Sequence, residues 1–306
     1  MSLWNRIAGM FRPSQAAVPS PPPKAGTPDL VDTAPLRAEF ARRAGSARPR
    51  EAVEAGSAQS AGLEREKNED AILMLYGIAF GEEALPEFGL FCVADGAGGM
   101  GHGELASAIA VRTVAHAVME GAFLSLMDLE MVSGEQPIEQ LTRQAIERAN
   151  EAVREGASGG VTTLTAAVMM NGVITIGHVG DSRAYLVDGN AMSQVTRDHS
   201  YAMRLVEIGQ LPPEEAHDHP KRHKLWNAIG QGPNLRIDVE SRPIPRSGYL
   251  LLCSDGLWGE VPDETLLATL AGSDEPNATC EALVRAANDA GGADNISALV
   301  VAFPGA

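Results

Sequence analysis

GLFCVADGAGG, Gly89–Gly99, is an apolar run that ends on an acid and passes at once into glycines. Five consecutive apolar residues, Leu90 to Ala94, make the pattern of a strand covered on both faces. Such a strand delivers Asp95 to its tip beside main chain free of side chains at Gly96, Gly98 and Gly99. That is a rigid seat for a hard cation. The pattern recurs in GYLLLCSDGLWG, where Asp255 and Gly256 follow another apolar run. A third acid, Asp294 in GGADNISALVV, stands just before the run from Ile296 to Phe303. Oxygen donors at three strand edges, with no Cys or His beside them, point to Mg or Mn.

The composition narrows the classes further. A chain of 306 residues builds one large domain or two modest ones. Its formal charge of −16 excludes nucleic acid as an expected partner, because a phosphate backbone needs a basic face. The three cysteines, Cys92, Cys253 and Cys280, read as free thiols of a reducing cytoplasm, two of them inside apolar runs. No apolar run is long enough for a membrane span, and the N-terminus lacks a signal-peptide core.

The charge is unevenly spread. Eight basic and five acidic residues in positions 1–60 leave a net +3, so the remainder carries −19. Residues 1–52, with SQAAVPSPPPKAGTP among them, are expected to be a disordered, proline-rich basic tail. Leu3, Trp4, Ile7, Met10 and Phe11 share one helical face, which would suit docking to a membrane surface or a partner protein.

From Val53 the pattern turns compact. Strands are expected at Ala71–Ile78, Phe88–Asp95, Thr162–Met170, Val173–Gly180, Ala184–Val187, Leu235–Pro243, Tyr249–Ser254 and Ile296–Phe303. Asn171-Gly172 and Asp188-Gly189 are hairpin signals. Helices are expected at Glu104–Glu120, Ile138–Glu155, Asp263–Leu270 and Asn277–Ala290, the last closed by Gly291-Gly292. Hairpin-linked strands with helices in separate blocks predict an α+β fold of packed antiparallel sheets covered by helices.

A single Asp-Gly is most often a turn, and LEREKNED, with Arg65, Glu69 and Asp70, reads equally as a solvated loop with a local ion pair. Taken in order, however, RxxNED at Arg65–Asp70, DGxGG at Asp95–Gly99, GExAS at Gly103–Ser107, GHVGDSRAYL at Gly177–Leu186, LLLCSDGLW at Leu250–Trp258 and GGADNIS at Gly291–Ser297 resemble the metal-dependent type 2C Ser/Thr protein phosphatases in their bacterial form. The resemblance spans about residues 57–303.

It implies a four-layer αββα β-sandwich of two mainly antiparallel sheets flanked by helices, a catalytic domain over 53–306, and a flap segment at about 200–232. By the same resemblance Asp95 bridges two Mn or Mg ions. Asp255 and Asp294 complete one site, and the Gly96 carbonyl serves the other. Glu69 and Asp70 support the ions through waters, Arg65 binds the substrate phosphate, and Asp181 helps Asp255 hold a third ion. The implied substrates are pSer/pThr proteins, those of a cognate Ser/Thr kinase, acted on by a cytoplasmic monomer without a covalent intermediate. The alternative is a catalytically silent relative that binds phosphoproteins as a regulatory module.

Rival chemistries fit less well. The sixth residues after the cysteines are Gly98, Gly259 and Ala286, so no Cys-x5-Arg phosphatase motif exists. No D-x-D-x-DG calcium loop occurs, and His217/His219 are too closely spaced for a usual zinc site, with His223 nearby. Lys221, Arg222 and Lys224 would attract acidic phosphopeptides or serve only as solvated loop charges. One departure from the family pattern stands out. Animal members carry a His two residues after the bridging Asp, where this chain has Ala97; Met100 also replaces a common His, with His102 nearby. The leaving-group proton would then come from water, a metal-bound water or His102.

Overall fold

The computed structural model describes residues 53–77, 87–98, 102–124, 137–216, 218–272 and 275–303. The expected tail over 1–52 with its apolar face, Met100 and His217 lie outside them.

In chain order the strands are β1 (Glu54–Ser60), β2 (Ala71–Gly77), β3 (Phe88–Ala94), β4 (Gly96–Ala97), β5 (Val161–Thr162), β6 (Leu164–Met170), β7 (Val173–Val179), β8 (Arg183–Asp188), β9 (Ala191–Gln194), β10 (Asp238–Pro243), β11 (Gly248–Cys253) and β12 (Ile296–Phe303). The helices are α1 (His102–Val118), α2 (Ile138–Gly156), α3 (Tyr201–Glu207), α4 (Asp255–Trp258), α5 (Asp263–Ala271) and α6 (Pro276–Ala290). A π-helical turn, Met119–Phe123, extends α1.

Two five-stranded sheets form, ordered β1-β12-β11-β8-β9 and β10-β7-β6-β3-β2, with every pair antiparallel. Side chains at alternate strand positions serve opposite faces, so each sheet contributes to two cores. Phe91, Val93, Ala167, Met169, Leu250, Leu252, Leu299 and Val301 fill the space between the sheets. On the outer face of the second sheet, Leu90, Cys92, Ala166 and Val168 meet α1 and α2. On the outer face of the first, Leu251, Cys253, Ala298 and Val300 meet Leu257, Leu266, Leu283 and Ala287 of α4, α5 and α6. These are the four layers expected. All seven residues of β3 are buried, as an uninterrupted apolar run between two neighbours should be.

Local chemistry explains each boundary. Asn171 and Gly172, at φ 57° and 78°, turn β6 into β7 as the dipeptide predicts. On α2, Leu141, Ala145, Ile146, Ala149 and Val153 form the buried stripe. The expected strand Thr162–Met170 is split, because the Thr163 N–H leaves the ladder for the Asp95 carbonyl at 2.9 Å. The expected strand Leu235–Pro243 starts only at Asp238, since the Arg236 main chain is claimed by the Asn227 amide through bonds of 2.9 and 3.1 Å. Several elements were not anticipated, the short β4 and α4 beyond the Asp-Gly corners among them. EAGSAQS (β1) lacks the β-branched and aromatic residues of a strand signal, yet it pairs along its length with β12. AMSQ (β9) is too short and polar to read. The helix α3, Tyr201–Glu207, is only seven residues long and is announced chiefly by Ser200, which caps Met203 N–H at 3.4 Å.

Candidate active site

Asp95 leaves the end of β3 with its main chain fully committed. Its N–H donates to Thr163 Oγ1 at 2.8 Å, and its carbonyl accepts from Thr163 N–H at 2.9 Å and Thr162 Oγ1 at 2.8 Å. The carboxyl therefore projects from an immobilised backbone. Gly96 follows in a space that admits no side chain: a Cβ there would stand 2.2 Å from the Gly103 carbonyl oxygen and 2.5 Å from that of Glu69. Both obstacles are backbone, so Gly96→Ala should lower stability by about 2 kcal/mol or more. Thermal melting checks this; an unchanged midpoint would refute the close approach.

Asp255 opens α4 directly after β11. Its sheet neighbour β12 is preceded by Asp294 and Asn295. Asn295 is the knot of this corner. Its Oδ1 accepts the Glu69 N–H at 2.8 Å, and its Nδ2 donates to the carbonyls of Ala61 at 3.0 Å and Lys67 at 2.8 Å. The Arg65–Asp70 loop is thereby tied to the start of β12. There Arg65 Nη2 meets Asp294 Oδ2 at 2.8 Å. The local ion pair weighed for LEREKNED is thus replaced by one across 229 positions of sequence.

Asp70 Oδ2 accepts Ser297 Oγ–H at 2.7 Å, while its Oδ1 has no donor. Ser107 Oγ holds the Glu69 carbonyl at 2.6 Å, and the Glu69 carboxylate lies against Gly103 at the start of α1. Asp181, in the β7–β8 turn, is 3% exposed, and its carbonyl accepts the Trp258 indole N–H at 3.0 Å.

The acids feel one another strongly. Burial pushes the Asp95 carboxyl well above its ordinary range, and Asp70, Asp255 and Asp181 push it further. Burial likewise raises Asp181, helped by Asp255 and Asp198, and lifts Asp70 to about 7. Asp255 moves the other way. Burial opposes its ionisation, but the hydrogen bond and charge of His223, then the proximity of Asp95 and the charge of Arg65, hold its carboxyl below the ordinary value. Of the two, Asp255 therefore ionises the more readily and Asp95 the less. Asp294, with Asp95 and Asp255 behind it, raises the Arg65 guanidinium. Asp70, Asp95 and Asp255 are enclosed by protein atoms yet keep a solvent-facing edge.

The donor set suits a hard divalent ion: carboxylates, main-chain carbonyls and two buried carboxylate oxygens, Asp70 Oδ1 and Asp255 Oδ1, with no hydrogen-bond donor. Among the described residues no three acids, imidazoles or thiols already close around one point. Arg65 and His223 occupy outer oxygens of Asp294 and Asp255 instead. A separate cavity of about 690 Å³, lined by Arg143, His178, Arg197 and Asp238 among others, includes none of these acids.

The family model described as protein phosphatase 2C matches residues 68–296, which contain all of these acids. The chain belongs to the protein phosphatase 2C family. Membership places it among the protein phosphatases, the class the sequence predicts. It is 34% identical over 210 residues to the serine/threonine phosphatase stp of Listeria welshimeri, covering 68% of this chain and 82% of that one. It is 33% identical over 225 residues to the protein phosphatase PhpP of Streptococcus pneumoniae, covering 70% and 85%. Among solved structures it resembles the PPM Ser-Thr phosphatase MsPP of Mycobacterium smegmatis in complex with cacodylate, at 32% identity and a TM-score of 0.65 over 82% of this chain and 98% of that one. It also resembles the catalytic domain of PstP in complex with two manganese ions, at 28% identity and 0.65 over 82% and 97%.

Sequence reasoning missed two residues that organise this acid cluster. Asn295 lies inside a quoted motif, but no spacing rule marks a buried amide as a loop tether. The sequence places His223 near His217 and His219, whose spacing is a weak zinc signal. Its Nδ1 instead meets Asp255 Oδ2 at 3.0 Å, while His219 Nδ1 accepts the Lys221 N–H at 3.1 Å. No helix among the described residues is long and apolar enough to cross a membrane.

Proposed function

We propose that the chain hydrolyses phosphoserine and phosphothreonine in proteins, with Mn or Mg held at Asp95, Asp255 and Asp294. The observation that carries this reading is the cluster of mutually repelling acids from separate strand ends, two of them with buried oxygens that meet no donor. Only cations satisfy such a set without protonation. When bound, two divalent ions supply a hydroxide from water near neutral pH and neutralise the phosphoryl charge.

The chain's own groups do the rest. Asp95 and the Gly96 carbonyl form the floor between the two sheets; Asp255 and Asp294 hold from the first sheet. Asp181 with Asp255 would take a third ion, and Glu69 and Asp70 would fix bound waters. Arg65, 55% exposed, leaves Asp294 to grip phosphate oxygens bidentately. No thiol joins the reaction, since burial raises Cys92, Cys253 and Cys280 above the ordinary thiol range. That agrees with direct attack by water and no phospho-enzyme. Ala97 offers no proton, and His102 has its Nδ1–H committed to the Ser158 carbonyl at 2.9 Å, so water, free or metal-bound, would be the favoured source of the leaving-group proton.

The domain organisation we favour is a catalytic unit from Val53 onward, acting as a cytoplasmic monomer on substrates of a cognate kinase, behind a basic arm that docks to a surface or partner. p-Nitrophenyl phosphate and a phosphothreonine peptide, each with Mn and with EDTA, test the reaction: turnover should require Mn. No turnover with either would favour the silent, phosphoprotein-binding alternative. Arg65→Ala should raise KM for the peptide by about 10- to 100-fold, the worth of a charge-assisted hydrogen bond, with kcat little changed. An unchanged KM would remove Arg65 from the phosphate site.

A further inference from the structure

His223 comes from the segment at about 200–232 and reaches across to the acids. Its Nδ1 donates to Asp255 Oδ2 at 3.0 Å. The imidazole is stacked on Trp258, with 6.3 Å between centroids and 20° between planes. Trp258 is a fixed base. It is 6% exposed, its Nε1–H donates to the Asp181 carbonyl at 3.0 Å, and the Arg183 guanidinium lies 3.5 Å from its ring centroid. Arg183 is in turn held by both oxygens of Asp198, through bonds of 2.8 and 3.0 Å. His223 therefore meets Asp255 from a supported position, although the side chain is 47% exposed.

The consequence for Asp255 is asymmetric. One carboxylate oxygen is taken by the imidazole; the other, Oδ1, is buried with no donor. A hydrogen bond to one oxygen fixes the torsion of a carboxylate and leaves the second as its ligand. Partners that orient ligands in this way are typically worth 10- to 100-fold in metal affinity.

We propose that His223 is a positioning residue, which turns Asp255 so that Oδ1 faces the divalent ion. The flap segment then completes the metal site instead of merely flanking it. This rests on reading Asp255 as a metal ligand, and the test separates the two claims.

Mn binding to the full chain is measured by calorimetry for the parent, His223→Phe, His223→Asn and Asp255→Asn. Phe keeps a ring against Trp258 but cannot donate, so its Mn affinity should fall by about 10-fold. Asn retains a donor and should recover most of that loss. If His223→Phe binds Mn as the parent does, the residue serves only to pack the flap. If it binds more tightly, His223 competes with the ion. Either result overturns the proposal. Should Asp255→Asn also bind like the parent, Asp255 is no ligand, and the metal-site reading fails before the question of His223 arises.

Discussion

Asp95→Asn should cost at least about a thousandfold in Mn-dependent phosphatase activity and, in EDTA, make the protein more stable. The two effects share a cause. Asp95 sits where burial and three neighbouring acids oppose its charge, so without metal the native state favours its protonated form more than the unfolded chain does. At neutral pH the unfolded carboxyl is ionised without opposition, and the difference weighs against folding. An asparagine is nearly isosteric with the protonated acid and needs no proton. Its amide can donate to Asp255, which already carries the charge of the pair. The melting temperature in EDTA should rise by several degrees, at about 2–4 °C per kcal/mol for a domain of this size. A fall would mean that Asp95 holds the apo fold together, contrary to its electrostatic setting.

The parent protein carries the same signature in its pH dependence. Asp70, raised to about 7, and Asp95 and Asp181, raised well above the ordinary carboxyl range, hold protons in the native state over a range in which the unfolded chain has lost them. Groups raised in this way stabilise most below their unfolded pKa, and the contribution is lost as pH climbs through the folded value. Between pH 5 and 8 in EDTA, the melting temperature should therefore drop as pH rises. Asp255 and Asp238 are shifted downward and act only in the acid range, where stability is lost as pH falls through their folded values. The ceiling for Asp70 alone is about 4 kcal/mol, reduced in practice by its solvent-facing edge. Saturating Mn should flatten or reverse the slope, because bound cations favour the ionised acids. A profile in EDTA that is flat from pH 5 to 8 would contradict the acid cluster as described.

Much of this was legible in the chain because it is written in side-chain polarity. The unbroken apolar run of β3, the hairpin dipeptide between β6 and β7, and the stripe on α2 were each readable, and each is observed. The acids at strand ends could be read for the same reason: a charge directly after an apolar run has few structural excuses. What escaped notice depends on contacts far apart in sequence. β1 is a strand because β12 offers it a ladder, and its own residues barely favour that state. Arg65 looked like a partner for its neighbours Glu69 and Asp70, yet it pairs with Asp294 because Asn295 fastens the two loops together. His223 had no local signature at all; only the placement of Trp258 explains where it goes.

Asp95 is carried by one sheet, Asp255 and Asp294 by the other, and the inter-sheet core lies directly behind them. A divalent ion shared among these acids would work as a rivet through both leaves of the sandwich. Catalytic turnover would then double as a gauge of how the leaves are registered. A lesion at Phe91 or Leu252 that let them slide by a fraction of a side chain would silence the enzyme while its strands stayed intact.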